Sequence, residues 1–290
     1  MAVLRGRAPG KLNLYLEVVS RRPDGFHELR TLFQTLHGDG PVGGGDGVEV
    51  ERTDSPLCAC GTRGADLPSD ERNLAVRAVR DWLAAAHQRG GARISLDKRV
   101  PLGGGLGGGS SDAATVLRLL QGTPGAIDPA ALDAVARALG ADVPFFLRGG
   151  TATATGRGDV IRPLPPAPRI AVVLLLPPFG TETGRVFARV AERLRRAPPG
   201  GLERAVAALA SGDPARIRDA HHNDLAEAAM RAYPEMLRFT SLAERLLGRA
   251  PAMSGSGSTL YDVPDVGEVD DVLARVHTWP GRAEVAFTAP

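Results

Sequence analysis

Residues Pro101–Ala114 read PLGGGLGGGSSDAA, with six glycines in the seven positions 103–109 and a helix-forming run directly behind them. Glycine allows positive φ and lets a ligand approach the bare main chain. A helix N-terminus adds unpaired N–H donors and the positive end of a dipole. The stretch therefore predicts a phosphate-binding loop. Ser110 or Ser111 is expected as the N-cap, with Asp112 in the first turn, and Val116, Leu117, Leu119 and Leu120 supply the buried stripe. A flexible linker is the competing explanation of such a run. It fits poorly between a strand-like Ala92–Leu96 and an amphipathic helix. The second glycine tract, Gly38–Gly47, has no helix behind it and is expected to be a surface loop.

Gly103, Gly105 and Gly108 satisfy G-x-G-x-x-G, but the loop lies a third of the way into the chain. The residue twenty positions on, Asp128, sits in a turn and not at a strand end, which argues against a dinucleotide fold. No Lys-Ser or Lys-Thr follows the glycines, so a P-loop is excluded. The His-Arg-Asp and Asp-Phe-Gly of protein kinases are missing as well.

The 290 residues bound the chain to about two lobes. With 35 basic and 33 acidic residues interspersed, net +2, nothing points to nucleic acid as a partner. The longest apolar run, Ile170–Leu176, is too short to cross a membrane, and no signal peptide is apparent, so a cytoplasmic protein is expected. Cys58 and Cys60 are too close for a disulfide and are expected as free thiols in a loop. Only two of the 35 basic residues are lysine, Lys11 and Lys98. In an arginine-rich chain this singles out both, because a compact ammonium is not replaced by a planar guanidinium. His37, His87, His221, His222 and His277 lack metal-ligand spacing and are expected to be solvated or capping.

Strands are predicted at Val3–Arg7, Leu12–Val19, Thr31–Leu36, Val48–Arg52, Ala92–Leu96, Thr151–Thr155, Ile170–Leu176, Thr259–Asp262 and Ala283–Phe287. Helices are predicted at Asp70–His87 (capped by Asp70), after the glycine loop, and at Pro129–Leu139, Thr183–Arg195, Leu202–Leu209, Asp224–Met230, Pro234–Leu247 and Val266–Val276. Residues Ala141–Phe146 read as a turn. Mixed periods argue an α+β chain, not a doubly wound sheet. The division expected is an N-terminal lobe at 1–162, a Pro-rich joint at 163–168 and a C-terminal lobe at 169–290.

Three segments, Ala8–Asn13, Pro101–Ala114 and Ser254–Ser258, together resemble the superfamily of galactose, homoserine, mevalonate and phosphomevalonate kinases. A fourth, Arg22–Leu29 continuing to Thr31–Gln34, is similar to the 4-diphosphocytidyl-2-C-methyl-D-erythritol kinase family, as are Asn73-Leu74 and Gly140–Phe146. The likeness spans most of residues 7–160 and thins beyond them.

The resemblance implies a two-lobed kinase, ribosomal protein S5 domain 2-like in its N-terminal lobe and ferredoxin-like in its C-terminal lobe. It implies ATP and Mg²⁺, with phosphoryl transfer to the 2-hydroxyl of a cytidine-diphosphate sugar alcohol. Transfer of this kind needs positioning and charge stabilisation more than covalent help. By this likeness Lys11 and Asp142 are catalytic, Asp142 as base and Lys11 as the ammonium that keeps it ionised. ATP would be bound by Pro101, Leu102, Gly103, Gly104, Gly105, Leu106, Gly107, Gly108, Gly109, Ser110 and Ser111, with Asn73 and Lys98 on the adenosine side. The acceptor would meet Asn13, Phe26, His27, Thr183 and Phe187. Phe26 and Phe187 would be the two faces of a sandwich on cytosine, with His27 reading its polar edge. Tyrosine is usual where Phe26 stands; stacking survives the change. No metal ligand is identified, Asp112 being the nearest carboxylate to the loop. A homoserine- or mevalonate-type kinase and a non-catalytic nucleotide sensor are the alternatives.

Overall fold

In the computed structural model, residues 2–190 and 197–288 are described. The first part of the chain forms β1 (Val3–Ala8), β2 (Lys11–Arg21), β3 (His27–His37), β4 (Asp46–Thr53), β5 (Cys58–Arg63), α1 (Leu74–Ala85), β6 (Gly91–Asp97), α2 (Gly108–Gln121), α3 (Pro129–Leu139), α4 (Val143–Arg148), β7 (Thr151–Thr155) and β8 (Val160–Pro163). Beyond the Pro-rich joint come β9 (Ala171–Leu176), α5 (Thr183–Phe187), α6 (Gly201–Ser211), α7 (Pro214–Ala220), β10 (His222–Asn223), α8 (Leu225–Ala232), α9 (Pro234–Leu247), β11 (Ala252–Met253), β12 (Leu260–Asp262), α10 (Val269–Arg275) and β13 (Arg282–Thr288).

A four-stranded sheet in the order β1-β4-β6-β5 lies under α1 and α2. Val48, Val50, Ile94 and Leu96 point from its strands into one apolar core with Val76, Val79, Trp82, Val116, Leu117 and Leu120 of the helices. This is the two-layer solution that a one-faced sheet and striped helices require. The larger sheet runs β10-β2-β3-β13-β9-β12-β11. It branches at β3, whose outer edge pairs with β7 over Thr31–Gln34 and with β13 over Leu36–His37. Strands from both sides of the Pro-rich joint therefore share one sheet, and the C-terminal strand lies between β3 and β9.

Several local expectations need correction. Helix α1 is capped by Asn73, whose side-chain Oδ1 accepts from the Ala75 N–H, while Asp70 is spent on Arg72 outside the helix. The turn expected at Ala141–Phe146 tightens into α4, because Pro144 in a first turn costs no hydrogen bond. Cys58 and Cys60 are free thiols as expected, but they stand on β5, parallel to β6, and not in a loop. Of the helix expected at Thr183–Arg195, only α5 forms before residues 191–196, which lie outside those described. The Gly38–Gly47 tract is no bare surface loop. Val42 is buried there, its N–H is taken by the Glu284 carboxylate, and Asp46 is fully enclosed.

Candidate active site

The glycine loop owes its shape to alternate left-handed residues. Gly103, Gly105 and Gly107 have φ of 63°, 72° and 71°. A Cβ on Gly105 would lie 2.1 Å from the Ser254 carbonyl oxygen, and one on Gly107 would lie 2.7 Å from the Phe146 ring. Space and dihedral both demand glycine. Gly107, not Ser110 or Ser111, is the N-cap of α2. The two serines fall inside the first turn because the backbone turns earlier than a hydroxyl cap would require. The first amides of α2 are thereby left facing the loop, which suits an anion.

The loop borders a cleft of about 400 Å³. Pro101–Gly105, Gly107–Ser110, Lys11, Asn13, Asp142, Thr183 and Phe187 all line it. Leu106 instead packs into the core, and its carbonyl accepts from the Lys11 N–H. Ser111 is buried within α2, its Oγ without a partner.

Lys11, at the start of β2, is 3% exposed. Its Nζ donates to Asn13 Oδ1 at 2.5 Å and to the Gly105 carbonyl at 2.8 Å, and lies 3.6 Å from Asp142 Oδ2. Three acceptors around one nitrogen match the three donors of an ammonium. Burial lowers the Lys11 pKa, and Asp142 opposes that shift. Asp142 is the N-cap residue of α4, yet its side chain makes no capping bond, so its carboxylate is available to Lys11 and to the cleft.

Asn13 is held in turn. Its Nδ2 donates to Thr31 Oγ1 at 2.8 Å, and that hydroxyl donates to the Tyr15 carbonyl at 2.6 Å. The Ser254–Ser258 turn closes over the same group. Ser254 Oγ donates to the Gly105 carbonyl at 3.0 Å, and a Cβ on Gly255 would lie 3.3 Å from Lys11 Nζ. Asn223 secures the turn by donating to the Met253 and Gly255 carbonyls. Ser256 Oγ lies 3.0 Å from Thr183 Oγ1, which fixes Thr183 at the cleft wall.

Lys98 does not reach the cleft. Its ammonium is buried beneath α2, bonded to Asp46 and, at 2.6 Å, to Asp112. Asp46 also accepts the Arg99 and Val100 N–H groups at 2.5 and 2.8 Å, so it fixes the segment that enters the glycine loop. Burial and the neighbouring Asp46 push the Asp112 carboxyl up to about 7. Asp112 is therefore a partner of Lys98. Asn73 likewise spends its side chain on the α1 cap and on the Pro68 carbonyl. Among the described residues no group of three or more His, Cys, Asp or Glu could hold a metal.

The aromatic residues are arranged differently from a simple pair of facing rings. His27 stacks on Phe187, centroids 5.2 Å apart and planes 29° apart, while the half-exposed Phe26 carries the Arg157 guanidinium 4.9 Å from its centroid. Burial and the nearby Arg21 lower the His27 pKa, favouring the neutral imidazole. Phe33, Leu16, Leu29, Leu74, Arg157 and Leu225 also line the cleft and were not anticipated. The strand alternation of β2 and β3 marks the first three as inward-facing, but nothing in the sequence points them at a ligand.

His221 is another departure. It is the C-cap residue of α7, its N–H donating to the Arg218 carbonyl, but its ring is not solvated: Nδ1 lies 3.2 Å from the Leu14 carbonyl and 3.0 Å from the Tyr261 hydroxyl, which donates to the Asn13 carbonyl at 3.1 Å. Desolvation lowers its pKa to about 4.

Residues 73–150 match the model of the GHMP kinases N terminal domain. A 4-diphosphocytidyl-2-C-methyl-D-erythritol kinase from Pelotomaculum thermopropionicum is 36% identical over 282 residues, covering 94% of this chain and 93% of that protein. One of the same name from Thermus thermophilus is 41% identical over 262 residues, covering 89% and 86%. The crystal structure of a 4-(cytidine 5'-diphospho)-2C-methyl-D-erythritol kinase superposes with a TM-score of 0.77 at 37% identity, covering 99% of this chain and all of that one. Homoserine kinase from Cytophaga hutchinsonii superposes with a TM-score of 0.75 at 17% identity, covering 100% and 95%, which speaks to the fold alone.

Proposed function

The chain belongs to the 4-diphosphocytidyl-2-C-methyl-D-erythritol kinase family, and on that premise we propose how its own residues carry the reaction. It is an ATP-dependent small-molecule kinase that phosphorylates the 2-hydroxyl of 4-diphosphocytidyl-2-C-methyl-D-erythritol, a step of non-mevalonate isoprenoid precursor synthesis. The observation that carries the mechanistic proposal is the meeting of three groups at one nitrogen: the Gly105 carbonyl of the loop, Asn13, and Asp142 all surround Lys11 Nζ.

In this proposal the α2 amides and the bare loop hold the β- and γ-phosphates. Transfer then depends on position and on charge stabilisation. Asp142 accepts the proton of the attacking hydroxyl. Lys11, 3.6 Å from that carboxylate, orients it and offsets charge that develops on the phosphoryl oxygens. Asn13 and the Ser254–Ser258 turn hold the ammonium in place, so little reorganisation accompanies the step. Magnesium, when bound with ATP, would supply charge neutralisation between the phosphates. It would be held chiefly by them, with Ser110 as the oxygen-bearing side chain at hand in the cleft lining. Phe26, His27, Thr183 and Phe187 would receive the cytidine end of the acceptor.

ATP and the cytidine-diphosphate alcohol are the partners of this reading, in the cytoplasm. No helix among the described residues is long and apolar enough to cross a membrane. The test is an ATP-coupled phosphorylation assay comparing CDP-methylerythritol, homoserine and mevalonate as acceptors. Turnover on the first alone is expected, and preference for either of the others overturns the substrate assignment.

A further inference from the structure

The acceptor in this reading is an anion as well as a base and a polyol. Its diphosphate must lie between the cytidine end of the cleft and Asp142. A buried or half-buried diphosphate needs cationic or N–H partners, since desolvating it alone is costly. The α2 amides cannot serve it, because ATP occupies them. Among the described residues that line the cleft, only Lys11 and Arg157 are cations. Lys11 is already committed to three acceptors.

Arg157 is held as a recognition group would be. It sits in the turn between β7 and β8, flanked by Gly156 (φ 69°) and Gly158 (φ 92°). Leu29 N–H donates to the Gly156 carbonyl at 2.7 Å, and the Gly156 N–H donates to Glu28 Oε1 at 2.9 Å, so the turn is bolted to β3. Asp159 accepts the Arg157 N–H at 3.1 Å and one Nη2 hydrogen at 3.2 Å. The guanidinium carbon lies over the Phe26 ring, 4.9 Å from its centroid. One Nη2 hydrogen is thus taken by a carboxylate and the group is seated on a ring, which leaves other donors of the fork for a phosphate.

We propose that Arg157 binds the diphosphate of the acceptor and so makes that group, and not the base or polyol alone, a requirement for tight acceptor binding. The proposal rests on the family's acceptor being this chain's own. Arginine suits the role, since its planar fork meets phosphate oxygens in pairs where lysine offers a point charge.

The test measures inhibition by cytidine 5'-diphosphate and by cytidine, each competitive against the acceptor at saturating ATP, in the wild type, Arg157→Gln and Arg157→Lys. The wild type should bind cytidine diphosphate far better than cytidine. In Arg157→Gln that preference should shrink about ten- to a hundredfold, with a matching rise in KM for the acceptor. Arg157→Lys should restore part of it, and KM for ATP should stay within about twofold in both variants. A general loosening of the turn would weaken both inhibitors alike and leave the ratio unchanged. An unchanged ratio overturns the role of Arg157 while the wild type still phosphorylates CDP-methylerythritol. A wild type that does not phosphorylate it removes the acceptor assignment instead.

Discussion

Replacing Lys98 by methionine should cost the protein both stability and ATP affinity. The ammonium is enclosed with Asp46 and Asp112, side-chain exposures being 1%, 0% and 2%. Removing one member of a buried ion group costs about 3–5 kcal/mol, because a charge is left uncompensated in a poorly polarisable site. The two carboxylates would not suffer equally. Asp46 keeps the Arg99 and Val100 N–H groups. Asp112 would be left facing only the Asp46 carboxylate: its Oδ1 is already without a hydrogen-bond partner, and Oδ2 would lose Lys98. It would take up a proton, its carboxyl being already raised to about 7, and that relief keeps the cost toward the lower end. At 2–4 °C per kcal/mol for chains of roughly this size, the melting temperature should fall on the order of 10 °C. KM for ATP should rise, since Asp46 and Lys98 hold the strand end that leads into the glycine loop. Adding Asp112→Leu to Lys98→Met should return part of the lost stability by removing the stranded carboxylate. Lys98→Arg should not rescue, because a bulkier planar guanidinium does not replace a compact ammonium enclosed between two fully buried carboxylates. Calorimetry and ATP saturation kinetics check all of this. A Lys98→Met protein that melts within about 2 °C of the wild type, with unchanged KM for ATP, refutes it.

His221 gives a pH dependence of definite sign. Its folded pKa of about 4 is below the unfolded value of 6.5, so between these values the unfolded chain binds more protons. Stability should fall as pH falls from 6.5 to 4, by on the order of 2–3 kcal/mol, and His221→Gln should flatten that slope in denaturant melts; an unaltered slope would reject the assignment. Gly105→Ala should push the loop away from the Ser254 carbonyl and lower kcat/KM by about a hundredfold or more. Gly109→Ala, whose Cβ would meet nothing within 4 Å, should melt like the wild type, and a melting loss as large as that of Gly105→Ala would contradict the steric argument.

The site was legible where a residue type is dictated by chemistry that local sequence displays. Alternating glycines ahead of a helix announce a phosphate loop. Two lysines in an arginine-rich chain mark positions that need an ammonium, and both are buried in polar clusters, Lys11 at the cleft and Lys98 beneath it. What failed to show depends on distant pairing. Asp46 looks like one more turn residue until β6 and α2 bring Lys98 to it across 52 positions. Cys58–Arg63 lacks apolar alternation, and only its parallel register with β6 makes it a strand. The placement of β13 between β3 and β9 joins chain ends that no periodicity connects. Asn73 and Asp70 are both good caps by type, and the choice between them was made by the packing of α1. Arg157 was invisible because glycine–arginine–glycine in a hairpin reads as turn chemistry, and its relation to Phe26 exists only in three dimensions.

The Lys11–Asp142 pair is the centre of the account, and Asp142→Asn tests it most directly. The substitution keeps the shape of the side chain and removes the base. ATP affinity measured by equilibrium titration should stay within about twofold of the wild type, while kcat for CDP-methylerythritol falls by about a thousandfold or more. Turnover that survives at the wild-type rate would take Asp142 out of the mechanism, and with it the role given to the neighbouring ammonium.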